Sequence, residues 1–308
     1  MKLIIYNESI CFQNRIIVII GNGFIGSALS EKLFKIDKAI IHDLKINWLN
    51  YGKIQSRIIE ALELIDKTKH VQVDWIWSAG KTGFSSTKEE NDEELRVFTS
   101  IITVIKNNNL KNLFNFHLIS SAGGLFEGQI NITKNSIPTP KRPYGELKLI
   151  QENLVAQFFP DKHTIYRLSS VFGNSNKNQR IGLITALIRN AMTCKSTTIH
   201  GSFDTKRDFV WVNDITNFIV DKIALNIKED DALFYLVSGK PTSIFEIISI
   251  IKKITNSKVM YTLNFSLQNN EQIVFSPSLL NPDWSSTSVE TSIRNLYHQI
   301  LITNSTNF

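Results

Sequence analysis

The stretch Arg15-Ile16-Ile17-Val18-Ile19-Ile20 runs directly into Gly21-Asn22-Gly23-Phe24-Ile25-Gly26, and this junction constrains the fold more than any other part of the chain. A continuous β-branched run suits a parallel strand covered on both faces. A helix over Phe24–Phe34 and a second strand over Lys38–Asp43 complete a βαβ unit. In that setting each glycine has a task. Gly21 allows the tight turn, Gly23 lets the backbone approach a pyrophosphate, and Gly26 lets helix and strand pack closely. Phe24 and Ile25 open the helix, whose free N–H groups and positive dipole end then face the phosphates.

The alternation continues downstream. Helices are expected over Ser56–Thr68 and Glu89–Asn107, and strands over Val71–Ala79 and Phe114–Ser120. Pro143 suits a first helical position, and the helix it opens runs to about Phe159, before a strand over His163–Ser169. This pattern predicts an α/β fold with a doubly wound parallel sheet. The texture changes after Gly173, where Asn174–Gln179 is a polar loop. Helices follow over Ile181–Thr193, Asp214–Leu225, Ser243–Ile254 and Ser288–Ile300, with strands over Thr197–His200, Asp208–Val212 and Phe234–Val237. The expected division is a dinucleotide-binding domain at 1–173, joined by 211–238, and a smaller C-terminal lobe at 174–210 and 239–308. Residues before Arg15 are expected to add an edge strand or to form a flexible extension.

Composition bounds the function. The chain has 308 residues with no apolar run of the ~18 that a membrane span needs. Asn7 and Glu8 interrupt the first apolar patch too early for a secretory leader, so a cytoplasmic location is expected. Cys11 and Cys194 do not make a disulfide framework. The net charge is +6, but the basic residues are dispersed, which argues against a nucleic-acid partner and for a mildly basic enzyme with anionic ligands. No metal site is expected.

Asp43 lies 17 residues beyond Gly26, at the end of the second strand. A carboxylate there accepts hydrogen bonds from the adenosine ribose and repels a 2′-phosphate, favouring NAD. Lys45 softens that discrimination and leaves NADP open. Ala79-Gly80 allows close backbone approach to the dinucleotide. Gly80-Lys81-Thr82 echoes the end of a triphosphate-binding loop, but the glycine that loop needs is replaced by Trp75.

Tyr144 and Lys148 lie four apart on the helix opened by Pro143 and share one face. A phenol titrates near 10 in water, and a neighbouring ammonium lowers that value. Tyr144 is therefore the candidate acid/base for an alcohol whose carbon gives up hydride. Lys148 would also hold the nicotinamide ribose. A hydroxyl from Ser120-Ser121 would orient the substrate oxygen.

Together these residues resemble the extended short-chain dehydrogenase/reductases, and within them the NAD-dependent epimerase/dehydratase family, nucleotide-sugar enzymes of the UDP-glucose 4-epimerase type. Tyr166-Arg167-Leu168-Ser169-Ser170-Val171-Phe172-Gly173 is similar to the strand and turn that lead into that family's sugar lobe. Arg207-Asp208-Phe209-Val210-Trp211-Val212-Asn213-Asp214 is similar to its RDFxxVxD signature. The resemblance implies that Arg207 contacts the diphosphate of a nucleotide-sugar substrate, with Ser170 and Asn174 nearby. Two departures bear on those contacts: the family often has Asn at the position of Ser170, and Pro where Asn174 stands. Aligning Leu125-Phe126 with the family's Val-Tyr puts Ala122 where some epimerases keep the catalytic hydroxyl, so Ser121 is the nearest substitute and Ser120 the next. The Asp-Glu pair of the 4,6-dehydratases is missing, which disfavours water elimination. The implied activity is NAD-dependent epimerisation at C4 of a UDP-sugar, and the implied assembly is a homodimer. The alternatives are a reductase of 4-keto nucleotide sugars using NAD(P)H and, from a different class, a non-catalytic dinucleotide sensor. Trp284 and the Asn174–Gln179 loop are candidates to line the sugar site.

Overall fold

The structure, a computed structural model, describes residues 1–6, 12, 15–36, 40–46, 48, 51–68, 72–109, 111–175, 181–225, 233–264 and 271–305. Cys11, the start of the expected second strand at Lys38, Val71 at the head of the next strand, and positions 176–179 of the polar loop lie outside these residues. The chain divides into two compact units. The first comprises 1–125, 140–167 and 216–234, and the second 126–139, 168–215 and 235–308.

The first unit is built on a seven-stranded sheet. Its strands are β1 (Lys2–Tyr6), β2 (Arg15–Ile20), β3 (Ile40–Asp43), β4 (Gln72–Trp77), β5 (Leu113–Ser121), β6 (His163–Leu168) and β10 (Leu233–Leu236), in the order β10-β6-β5-β4-β2-β1-β3. β2 pairs parallel with β4, and β4 with β5. All six residues of β2 are buried, as a strand covered on both faces requires.

Helices flank both faces. Leu3, Ile5, Ile16, Val18 and Ile20 join one core with residues of α2 (Tyr51–Asp66), α3 (Lys88–Asn109) and α5 (Pro143–Phe158). A single helical turn, α4 (Ala122–Leu125), follows directly on β5. Strand side chains alternate, so Tyr6 points the other way, and its hydroxyl donates to Leu33 O of α1 (Phe24–Ile36) at 2.8 Å. Arg15 also leaves that core and reaches Ile223 O of α7 (Val212–Ala224). The sheet is therefore doubly wound, as the alternation of strands and helices predicts.

The N-terminal segment is neither an edge strand nor an extension. β1 runs antiparallel between β2 and β3, pairing Lys2 with Ile19 on one side and with Asp43 on the other. The reason lies in its sequence: Leu3, Ile4, Ile5 and Tyr6 are apolar on both faces, so an inner place covers them where an edge would leave part exposed.

A polar network crosses four strands at the end of the sheet away from Gly21. Arg15 Nε donates to Asp74 Oδ2 at 2.9 Å, His117 Nε2 lies 3.1 Å from Asp74 Oδ1, and His117 Nδ1 lies 3.1 Å from the Tyr166 hydroxyl. Burial of these groups is tolerable because each finds a partner.

The second unit holds two small sheets. β9 (Lys206–Trp211) pairs parallel with β7 (Ser170–Phe172) and antiparallel with β11 (Pro241–Ser243). β8 (Ser196–His200) pairs parallel with β12 (Met260–Asn264). Helices α6 (Leu183–Met192), α8 (Ile244–Thr255) and α9 (Val289–Ser305) pack on one another. α8 begins with a capping box, in which Ser243 Oγ accepts from Glu246 N while the Glu246 carboxylate accepts from Ser243 N.

Asp208 is the hub of this unit. It is 2 % exposed. Oδ1 accepts from Ser169 Oγ at 2.6 Å and Ser238 N at 2.8 Å, and Oδ2 accepts from Ser238 Oγ and Gly239 N, each at 2.8 Å. Burial nevertheless raises its carboxyl above the ordinary value of 3.8, the four donors opposing that rise. Asp214 has a similar task, accepting from Thr287 N and Oγ1 at 2.8 and 2.9 Å. Both aspartates of the Arg207–Asp214 segment are thus structural. Among the described residues no helix is long and apolar enough to cross a membrane.

Candidate active site

The glycine turn is set by its neighbours on β4. Gly21 has φ +107°, and a Cβ there would meet Ala79 N at 2.4 Å, so both conformation and space demand glycine. Ser78 ties the turn down: its N–H donates to Ile20 O at 2.9 Å, and its hydroxyl donates to Gly21 O at 2.9 Å. A Cβ at Gly26 would fall 1.9 Å from Gly21 O, which is the close helix–strand approach expected of this glycine.

Gly23 is different. Nothing lies within 4 Å of a Cβ built on it, and it faces open space. It borders a cavity of about 570 Å³ whose walls include Gly21, Asn22, Ala79, Gly80, Trp48 and Trp77. The two indoles meet edge to face, with ring centroids 6.3 Å apart. Phe24 and Ile25, half-buried, lie in the first turn of α1, and that turn carries no acidic residue. Its amides therefore meet no carboxylate within their own turn, although Glu90, Glu93 and Glu94 of α3 also line the cavity. A bare glycine backbone, a helix N-terminus and an aromatic wall fit a dinucleotide.

Tyr144 and Lys148 follow from the helix that Pro143 opens. Pro143 stands at its first turn after Arg142, which has extended backbone. Lys148 is buried, and its Nζ donates to Gln151 Oε1 at 2.9 Å. That nitrogen lies 5.8 Å from the centre of the Tyr144 ring. Gly124 lets the phenol ring in, since a Cβ there would meet Tyr144 Cε1 at 3.0 Å. Phe84 flanks the same ring, with centroids 5.6 Å apart, and Arg142 stacks on Phe84.

The two serines part company. Ser121 Oγ accepts from Gly124 N at 3.0 Å, which places its hydroxyl at the turn that abuts Tyr144. Ser120 Oγ instead donates to Glu152 Oε1 at 2.5 Å. Glu152 is also gripped by Arg167 through Nε at 3.1 Å and Nη2 at 2.7 Å. Ser120 therefore belongs to a buried ion pair that fastens α5 to β6, and its proton is committed there.

Asp43 is exposed, at the end of β3, and does not line the cavity beside the glycine turn. Its expected position next to β2 is taken by β1. Ala79 and Gly80 do line it. In the second unit, Arg207 Nη1 donates to Glu271 O and lies on β9 opposite Thr242. Asn174 Oδ1 accepts from Arg189 Nη2 at 3.1 Å, and Ser170 opens β7. Trp284 is 5 % exposed with its indole N–H on Val237 O at 2.7 Å, so its side chain is a packing element and leaves little surface for a sugar.

Glu94 is one residue that sequence reasoning missed. It sits on α3 within the acidic run Glu89–Glu94, a pattern that reads as a solvated face. Its Oε2 accepts from Thr82 N at 3.1 Å and Thr82 Oγ1 at 2.8 Å. Its Oε1 lies 3.8 Å from Lys148 Nζ, buried and without a hydrogen-bond partner among the described residues. A buried acceptor of that kind is costly unless a donor arrives with a ligand. Trp48, Trp77 and Phe84 were missed because only the tertiary fold brings them to the site.

Residues 16–230 match the model of the NAD dependent epimerase/dehydratase family. A provisionally named UDP-glucose 4-epimerase of Methanocaldococcus jannaschii is 26% identical over 255 residues, which is 77% of this chain and 81% of that protein. A dTDP-L-rhamnose 4-epimerase of Burkholderia thailandensis is 32% identical over 121 residues, 37% of this chain and 32% of that protein. Among solved structures, the UDP-glucose 4-epimerase of Thermus thermophilus complexed with NAD has a TM-score of 0.75 at 12% identity, covering 93% of this chain and 99% of that one. The UDP-glucuronic acid 4-epimerase of Bacillus cereus, complexed with UDP-glucuronic acid and NAD, has a TM-score of 0.72 at 22% identity, covering 94% and 99%.

Proposed function

The chain belongs to the NAD dependent epimerase/dehydratase family, and from that premise we propose that it is an NAD-dependent epimerase inverting C4 of a UDP-sugar. One observation carries the reading. Tyr144 and Lys148 share a helix face, and the phenol abuts the turn that presents Ser121, in the same unit as the glycine cradle. The curated relatives named as 4-epimerases, and the solved neighbours named with UDP-sugars, support the substrate class.

NAD, when bound, supplies reversible acceptance of hydride from the sugar carbon. The chain's residues do the rest. Gly21, Gly23 and Gly26 with the amides of Phe24 and Ile25 hold the pyrophosphate, and Ala79-Gly80 allow close backbone approach. Lys148 holds the nicotinamide ribose and adds positive charge on the face it shares with Tyr144. Tyr144 Oη takes the proton of the C4 hydroxyl and returns it after the keto-sugar has turned over. Ser121 keeps its proton free to orient the sugar oxygen, because its bond from Gly124 uses only a lone pair. Arg207 meets the substrate diphosphate, with Ser170 and Asn174 as further contacts.

Tyr144→Phe tests this assignment. It should lower kcat by about 10²–10⁴-fold while leaving NAD affinity unchanged. A variant that retains full epimerase activity would remove Tyr144 from the mechanism.

A further inference from the structure

A carboxylate whose two oxygens are treated differently stands in the wall of the coenzyme cavity. Glu94 Oε2 is fixed by Thr82, through N at 3.1 Å and Oγ1 at 2.8 Å. Oε1 is buried and accepts no hydrogen bond from the described residues, and the side chain is 8 % exposed. Two bonds on Oε2 hold the carboxylate in place, so Oε1 cannot turn to another donor. Gly80 lies against that oxygen, since a Cβ there would meet Oε1 at 3.2 Å, and both residues line the cavity. An acceptor anchored in this way calls for a donor brought by a ligand.

The charge beside it is that of Lys148. Its Nζ stands 3.8 Å from Oε1, beyond hydrogen-bond reach, and donates instead to Gln151 Oε1 at 2.9 Å. Both side chains are buried, so solvent and salt screen this pair weakly. The other charges of the wall are placed differently. Glu90 is exposed and accepts from Thr87 N at 2.9 Å, Glu93 is exposed and lies 3.6 Å from Arg96, and Lys81 is exposed. Their fields are damped by solvent, whereas that of Glu94 is not.

We infer that Glu94 selects the oxidation state of the coenzyme, favouring NAD over NADH. The inference rests on the coenzyme reading above, in which Lys148 holds the nicotinamide ribose. NAD carries a positive nicotinamide ring and NADH a neutral one. Lys148 alone would repel the positive ring, and a carboxylate 3.8 Å away offsets that field. Lysine is a donor only, so it leaves the ribose O–H groups in need of an acceptor, which Glu94 Oε1 supplies. A neutral residue in its place would leave the ammonium uncompensated. The bias suits a redox-neutral epimerase, whose coenzyme must be oxidised when the sugar arrives.

Titration calorimetry of the intact protein with NAD and with NADH tests this. Glu94→Gln keeps the shape and an acceptor for Thr82 but loses the charge. It should weaken NAD about tenfold more than NADH, one decade in the ratio of the two dissociation constants. Glu94→Asp keeps the charge and should hold that ratio within about threefold of wild type. Equal weakening of both forms in Glu94→Gln would make Glu94 a contact without electrical preference, and unchanged affinities would remove it from the site. Either result overturns the inference and leaves the coenzyme reading intact. A wild-type protein that binds neither nucleotide would overturn both readings together. Thermal melts separate a folding defect from a binding one, and where Glu94→Gln shows such a defect, Glu94→Ala, equally uncharged, should give the same tenfold shift, about one decade.

Discussion

Asp208 gives the sharpest prediction about stability. Replacing it with alanine removes the acceptor of two backbone N–H groups, buried Ser238 and half-buried Gly239, and of two hydroxyls. The hydroxyls can rotate toward other acceptors, but the amides cannot. An unsatisfied buried donor costs about 1–3 kcal/mol, so the two amides together cost at most about 2–6 kcal/mol. That is a large share of the ~5–15 kcal/mol that holds a domain together. Taking about 4 kcal/mol as the middle of that range, the melting temperature should fall by about 8–16 °C. Asparagine keeps the shape and one acceptor oxygen, and should cost about half as much.

The pH dependence separates this account from a simple loss of contacts. Burial raises the folded carboxyl above its ordinary 3.8, so the ionised form is costlier in the fold than in the unfolded chain. Below 3.8 the group is protonated in both states and contributes no slope. As pH climbs from there through the raised folded value, this group's contribution to stability falls, and above that value it is constant. Asparagine does not titrate. The stability gap between wild type and Asp208→Asn should therefore narrow as pH rises out of the acid range. Urea denaturation of both proteins at a series of pH values measures it. A gap that widens with pH would mean that the four donors outweigh burial, and would refute the reasoning.

Three other outcomes follow from single residues. Gly21→Ala should fail to fold its turn, since the residue has positive φ and no room for a Cβ, whereas Gly23→Ala should melt like wild type yet bind NAD at least about tenfold more weakly, measured by titration calorimetry. Glu152→Ala removes a carboxylate partner of the buried Arg167 and should cost up to about 3–5 kcal/mol in denaturation experiments, with Ser120→Ala costing much less. Ser243→Ala should cost about 1 kcal/mol at neutral pH by opening the α8 capping box. Hydrogen bonds from Ser243 lower the Glu246 carboxyl below its ordinary 4.5, so the box's contribution is complete above that value and is lost as pH falls through the lowered one. Thermal melts at neutral and acid pH should show the Ser243→Ala penalty shrinking.

Local signals carried the nucleotide half of the fold. Buried β-branched strands, the glycine turn after β2 and the proline opening α5 each act within a few residues, and the structure places elements where they point. The apolar faces of β1 account for an inner place, but its neighbours were not legible, because a five-residue strand says nothing about which strands it joins. Asp43 ends its strand as expected, but the neighbour of that strand was not legible for the same reason, since β1 stands between β3 and β2. Ser120 and Ser121 are indistinguishable in sequence, and only the Glu152–Arg167 pair on one side and Gly124 on the other tell them apart. Glu94 was hidden in an acidic run that looks solvated. β12 was missed because four of its five side chains are exposed, which leaves no buried alternation to read.

The central claim is a redox-neutral inversion at C4. The purified protein should be incubated with UDP-glucose, and separately with UDP-glucuronic acid, using catalytic NAD and no added reductant, and the sugar analysed by proton NMR. Appearance of the C4 epimer from one of them, without net formation of NADH and abolished by Tyr144→Phe, is the predicted result. A protein that leaves both sugars unchanged yet consumes NADH or NADPH stoichiometrically on a 4-keto nucleotide sugar would contradict it, and would make the chain a reductase.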